Sequence, residues 1–317
     1  MALLQFDETD DLIDICMDNV FKAVFTRETP ESRKALSRLL SAIIARELTV
    51  VVITANEPPI DNLRDRQIRF DITCKGEDGE LVNIEMSLNP DSYEPVRLEF
   101  HAGKLFTGQD IRGTEKTYND LKAAYQIAVL AKGRFFGDEE FLHSFEYYDP
   151  LRGVSLGGRS RIITLELSKL DSVVEKPAGA MTMAEQWGIF FRYLTDKSKR
   201  EKINDLLKEE EGIAMAGKEL LMISKDEIER ARLMSEYKYE VDTQSKVVHA
   251  RREGIQEGME KGIQKGIQIG QQKGRQEGKL EGRQEGRQEV SSAILEFINA
   301  GYSLEDIKKR LQADRNL

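Results

Sequence analysis

The sequence predicts an α/β fold, and three observations predict it. LTVVVIT at 48–54 is a β-branched run of strand length. IRFDITCKGEDGELVNIEMSLNP, from Ile68 to Pro90, has the two strands and turn residues of a hairpin. Around them, apolar residues recur at helical spacing.

The first helical stretch runs from about Asp10 to Glu47, with Asp18, Phe21, Lys22 and Phe25 at i, i+3, i+4 and i+7. Pro30 divides it into two helices. A loop at Pro58 and Pro59 follows the 48–54 strand, and helical spacing resumes over 95–107 and 115–129. RSRIITLEL at 159–167 alternates like a strand. The Gly153 to Gly158 stretch before it reads as a turn, because a phosphate loop would be followed by a helix. Residues 176–250 are helical and highly charged, with the single tryptophan, Trp187, near their start. Residues 290–317 close the chain with two short helical patterns, the second starting at Ser303 with Asp306 three positions on.

Composition narrows the function classes. Of 317 residues 40% are hydrophobic and 32% charged, which is core-forming material and neither a disordered nor a membrane composition. A net charge of -9 excludes a protein that coats nucleic acid by bulk electrostatics. Two cysteines, Cys16 and Cys74, and three dispersed histidines, His101, His143 and His249, offer neither a disulfide framework nor a zinc set. There is no Walker-type loop and no strand-turn-helix motif around a nucleophilic serine. No apolar stretch reaches membrane-spanning length, and the N-terminus turns acidic where a signal peptide would be basic, so a reduced, cytoplasmic protein is expected.

The hairpin carries the chemistry. With Glu77-Asp78-Gly79 as a three-residue loop, glycine in the left-handed position, Gly76 faces Glu80 and Asp71 stands directly opposite Glu85. One face then holds Asp71, Thr73, Lys75, Leu81, Asn83, Glu85 and Ser87; the other, wholly apolar and core-facing, holds Phe70, Ile72, Cys74, Val82, Ile84 and Met86. Facing carboxylates cost up to about 1 kcal/mol, and a hard divalent cation such as Mg2+ would offset that cost. Such an ion polarises a phosphodiester and lowers the pKa of a bound water. The alternative is a polar face that simply meets solvent, as outer faces of antiparallel sheets commonly do. A two-residue Asp78-Gly79 loop would put the two acids on opposite faces.

An ordered set of motifs resembles a known family: Asp18 with Phe21-Lys22 and Phe25, Arg-Phe-Asp-Ile at 69–72, Asn-Ile-Glu-Met at 83–86, Arg97, Gly113, Tyr118, Leu-Glu-Leu-Ser-Lys at 165–169 and a glycine-repeat tail. From about Asp18 to its end the chain resembles the PD-(D/E)XK nuclease family transposases, the Rpn recombination-promoting nucleases. The resemblance implies a restriction-endonuclease-like core, a mixed central sheet flanked by helices, in residues 1–175. It also implies a DNA endonuclease using Mg2+, with Mn2+ as a substitute. Carried over, Asp71 and Glu85 bind the metal with the Met86 carbonyl as a third ligand, and Asp18 orients a water or a second ion. As a helix residue alone, Asp18 reads equally well as a helix-start acid. The superfamily motif ends in lysine, and this family often has glutamine there, but this chain has Ser87. Another cation, Arg97 or Lys104, replaces it as a phosphate contact, or the protein is a slow or inactive relative acting as an oligomeric DNA-binding or regulatory protein. Arg97, His101 and Lys104 share one helix face at i, i+4 and i+7.

The tail is the most regular part of the chain. Nine of the chain's 24 glycines fall at every fourth position from Gly254 to Gly286, inside a segment, 251–289, that lacks proline and serine and carries nine basic and seven acidic side chains. Each glycine costs a helix about 1 kcal/mol relative to alanine, so such a helix needs a partner. A four-residue step advances the glycine stripe by about 40°, the sense of a right-handed supercoil. A self-association helix and a homo-oligomer are expected, with residues 176–250 a helical region and 290–317 a helical tail.

Overall fold

The computed structural model describes residues 4–54, 70–111 and 115–313. Pro58, Pro59, Arg69 and Gly113, invoked above, lie outside them. The chain divides into two compact units, residues 1–240 and 241–317.

The first unit opens with α1 (Asp18–Phe25) and α2 (Pro30–Ile44). Thr29 caps α2 by accepting from the Ser32 amide, and Pro30 takes the first-turn position where its missing N–H is harmless. Residues 10–17 form no helix, so α1 begins later than its apolar spacing suggests. Then come β1 (Val50–Thr54), β2 (Ile72–Gly76), β3 (Leu81–Ser87) and α3 (Glu94–Thr107).

The helix expected over 115–129 is instead β4 (Ala124–Leu130), buried along its whole length. An apolar run covered on both faces has no strand periodicity, which is why AYQIAVL mimics a helix in the sequence. It is followed by β5 (Leu142–Glu146), which the sequence reading missed, and the two-residue strands β6 (Tyr148–Asp149) and β7 (Val154–Ser155). Gly153, Gly157 and Gly158 all take positive φ around β7, as a turn requires. β8 (Ser160–Glu166) completes the sheet.

The six-stranded sheet has the order β1-β2-β3-β4-β8-β5. Its centre, β3, β4 and β8, is parallel and its flanks are antiparallel, a mixed sheet consistent with a PD-(D/E)XK core. Three helices complete the unit's core: α4 (Met183–Tyr193), α5 (Arg200–Glu209) and α6 (Glu211–Lys225). Ile72, Val82, Ile84 and Met86 on one sheet face share a single apolar cluster with α1, α2 and α4–α6. At its heart Phe21, Phe25, Trp187 and Phe191 contact one another edge-on or tilted, with ring centroids 4.8 to 6.4 Å apart. The helices of the 176–250 region therefore bury their apolar sides in the same core as the sheet. The opposite sheet face is covered by α3 through Leu98, Ala128 and Leu130.

α7 (Glu227–Asn299) is one continuous helix containing the whole glycine repeat, and α8 (Leu304–Ala313) follows a turn at Gly301. The first of the two short C-terminal patterns is thus the end of α7, while Ser303 does start α8, its Oγ accepting from the Asp306 amide at 3.4 Å. Among the described residues no helix is long and apolar enough to cross a membrane. Cys16 and Cys74 are free and buried, and burial pushes the Cys74 thiol up to about 12, so neither is placed for thiolate chemistry.

Candidate active site at the end of the β2–β3 hairpin

The turn fixes the site. Gly79 has φ +83°, its amide donates to the Gly76 carbonyl at 3.0 Å, and the Gly76 amide donates to the Glu80 carbonyl at 3.0 Å. This is the three-residue loop, and the two-residue alternative is excluded. Thr73 pairs with Asn83 and Ile72 with Ile84, so the register carries Asp71 opposite Glu85.

The polar face is not solvated at Asn83 and Glu85, although Lys75 near the turn is exposed. Asn83 and Glu85 are 0% and 2% exposed, covered by α3, which overturns the reading of a hairpin face open to water. Phe70 also departs from expectation. The strand breaks at Asp71, and the Phe70 ring packs edge-on against His101 of α3, centroids 5.5 Å apart, away from the main core.

The broken strand gives Asp71 its position. β2 begins only at Ile72, and the Met86 amide, which would otherwise lose its ladder partner, donates to Asp71 Oδ2 at 3.1 Å. In a strand the carbonyl of a residue lies on the same edge as its amide, so the Met86 carbonyl shares this edge. From the main-core side, Lys22 of α1 places Nζ 3.0 Å from Asp71 Oδ1 and 2.9 Å from Asp18 Oδ2. The apolar stripe Val20, Phe21, Val24 and Phe25 seats α1 on the core and leaves Asp18 and Lys22, one turn apart, at its margin facing the hairpin. Asp18 Oδ1 is buried and has no hydrogen-bond partner among the described residues.

From the other face, Arg97 Nη1 lies 3.2 Å from Glu85 Oε2, and the same guanidinium grips buried Glu94 through Nη2 at 2.5 Å and Nε at 3.3 Å. His101 Nδ1 is 3.6 Å from Glu85 Oε2. Gln126 of β4 donates from Nε2 to Glu85 Oε1 at 3.1 Å. Of the helix face read from the sequence, Arg97 and His101 thus reach the site; Lys104, one turn further, makes no ion pair with Asp71 or Glu85. Ser87 ends β3 beside Leu130 of β4, and its carbonyl accepts from the Ala131 amide.

Among the described residues, four carboxylates, Asp18, Asp71, Glu85 and Glu94, pair with the cations Lys22 and Arg97, and His101 stands beside Glu85. Burial above all, then Asp18 and Glu85, push the Asp71 carboxyl up to about 7 against the pull of Lys22. Burial likewise raises Glu94, against Arg97. Among the described residues no three His, Cys, Asp or Glu side chains converge closely enough to hold a metal ion by themselves. Two carboxylates, Asp71 and Glu85, and a strand-edge carbonyl are nevertheless hard oxygen donors, the kind a divalent cation that keeps several waters takes.

The family description PD-(D/E)XK nuclease family transposase matches residues 15–250. The chain belongs to this family. No curated protein and no solved structure matches it. PD-(D/E)XK membership gives the chain a nuclease- or transposase-like assignment with DNA as the family's substrate, and the matched span contains Asp18, Asp71, Glu85 and Arg97. The Leu-Glu-Leu-Ser-Lys run lies at the C-terminal end of β8. There Glu166 accepts from the Phe135 amide at 2.5 Å and pairs with the fully buried Lys169 at 2.5 Å, pinning the β4–β5 connection. Tyr118 is exposed.

Sequence reasoning gave no role to Lys22, Gln126, Asn83 or Glu94. One signal was available: Gln126 is the single polar residue with a charged or amide side chain in the run 124–130.

Proposed function

We propose that this PD-(D/E)XK protein is a magnesium-dependent, cytoplasmic DNA endonuclease that promotes recombination or transposon-like DNA movement by hydrolysing phosphodiester bonds. The observation that carries this reading is the hairpin register that brings Asp71 across from Glu85, with burial raising the Asp71 carboxyl. Asp71, Glu85 and the Met86 carbonyl hold Mg2+, or Mn2+ in its place. The ion supplies a Lewis acid for a phosphodiester oxygen. Asp18, with its unpartnered Oδ1, orients a water beside Asp71. Ser87 brings no charge, and Lys22, already at Asp71, is the cation that stands in for the missing motif lysine. Arg97 and, one turn on, Lys104 face the DNA backbone. The glycine helix Gly254 to Gly286 joins copies of the chain into a homo-oligomer.

The test is metal-dependent nicking of supercoiled plasmid by the full chain. Asp71→Ala and Glu85→Ala are expected to abolish it, and undiminished cleavage by either purified variant refutes the site. A second reading, an oligomeric DNA-binding or regulatory relative with little or no turnover, is favoured by Ser87 and by the lack of a three-ligand cluster among the described residues. Wild-type protein that binds DNA yet never cuts it across a metal and pH screen supports that reading.

A further inference from the structure

A central parallel strand is normally apolar throughout, yet β4 buries Gln126 completely, with Ala124, Ala128 and Leu130 on the same sheet face. A buried amide is costly wherever a partner is missing, so the directions of its hydrogen bonds are informative. Gln126 is in register with Asn83 of β3, itself 0% exposed. Asn83 Nδ2 donates to Gln126 Oε1 at 2.8 Å, and Gln126 Nε2 donates to Glu85 Oε1 at 3.1 Å.

The chain has a polarity. An ionised carboxylate only accepts, so Gln126 must present its NH2 to Glu85 and its carbonyl to Asn83, and Asn83 must in turn present its NH2. Oε1 of Glu85 is thereby fixed toward β4. Oε2 is left to Arg97 and His101, at 3.2 and 3.6 Å. A simple packing role does not need this: leucine fills such a position without any polar atom to satisfy.

We infer that Gln126, aligned by Asn83, is a positioning residue that holds the Glu85 carboxylate in its ligating orientation. The inference rests on the reading of Glu85 as a metal ligand. Groups that orient a ligand from behind typically account for 10- to 100-fold in metal affinity. Gln126→Met removes the donor at similar volume, and Gln126→Asn keeps an amide too short to reach Glu85.

The test is calorimetric titration of the full chain with Mn2+ alone, beside thermal unfolding of each variant. Expected is a loss of Mn2+ affinity of about ten-fold or more in both variants. Plasmid nicking should show a matching rise in the half-saturating Mn2+ concentration, with turnover recovered at saturating metal, a split that mere loss of fold would not give. If Gln126→Met fails to fold, Gln126→Asn carries the same measurement. Glu85→Gln serves as the reference. If it abolishes Mn2+ binding while both Gln126 variants bind like wild type, the positioning role alone is overturned. If Glu85→Gln itself binds Mn2+ unchanged, Glu85 is no ligand, and the nuclease site falls together with the relay.

Discussion

Asp71 and Glu85 stand opposite each other on one hairpin, yet each carboxylate is held by a cation from a different layer: Lys22 of α1 at 3.0 Å for Asp71, Arg97 of α3 at 3.2 Å for Glu85. The helices approach from opposite faces of the sheet, and the carboxylates meet at the strand end between them.

Stability should depend on pH through Asp71. Its carboxyl sits at about 7 in the folded chain against an ordinary 3.8, so the fold binds this proton more tightly than the unfolded chain does. The resulting stabilisation is fully present below about 4 and is lost as pH rises through about 7. Asp71→Asn cannot ionise. Its stability relative to wild type should climb from near parity at pH 4 to an advantage on the order of a few kcal/mol at pH 8. Denaturant melts at several pH values measure this, and a pH-independent difference contradicts it. The groups that set the effect are Asp18, Lys22, Glu85 and Arg97.

Mg2+ should reverse that ranking. An ion that binds ionised Asp71 stabilises only the folded state. Saturating Mg2+ at pH 8 is therefore expected to raise the melting temperature of wild type and leave that of Asp71→Asn unmoved. Equal shifts in both would place the ion elsewhere.

Lys22→Met tests the cation assigned in place of the motif lysine. Losing Nζ leaves Asp18 and Asp71 without their shared partner. Nicking should fall by about 100-fold, the scale of losing one electrostatic stabiliser at a reacting centre, and by much less in Lys104→Met. The reverse order would move the role to α3.

Gly79 sets the register on which the site depends. Gly79→Val forces a β-branched residue to φ +83°, a left-handed conformation costing about 1–2 kcal/mol. Gly79→Asn, which tolerates that region, should remain near wild type in denaturant melts. Equal stability of the two variants would remove the turn's strict demand.

The tail supports a prediction with two opposite signs. At each glycine from Gly254 to Gly286 an added Cβ meets nothing within 4 Å of the single chain. Gly266→Ala with Gly270→Ala should therefore favour the helix by about 1 kcal/mol per site while weakening association through a close-packed seam. Sedimentation analysis reads the second effect. A chain ending at about Ala250 should sediment as a smaller species, and an unchanged oligomeric state in both would leave the glycine helix without this role.

Much of the site was legible because its determinants are local. Glu77-Asp78-Gly79 narrowed the turn to two loop lengths, and the three-residue one, which the structure has, carries Asp71 across from Glu85. The 115–129 error has an equally local cause: β4 is apolar on both faces, and a run of that kind carries no period that separates strand from helix. β5 was missed because LHSFE has neither strict alternation nor a β-branched run. Phe70 followed the alternation on paper, but β2 begins only at Ile72 and leaves it free to turn toward α3.

By itself, the sequence determined the α/β class, the hairpin, the division of α1 from α2 at Pro30, the helical repeat and the family motifs. All of these rest on short-range periodicity, turn chemistry or residue order. Only the tertiary structure decided which groups share the site. Lys22 precedes Asp71 by 49 positions and Gln126 follows Glu85 by 41, and no spacing rule links residues that far apart. Sheet order and helix packing bring them within 3.1 Å of the carboxylates, and burial there shifts Asp71 in a way composition could not reveal.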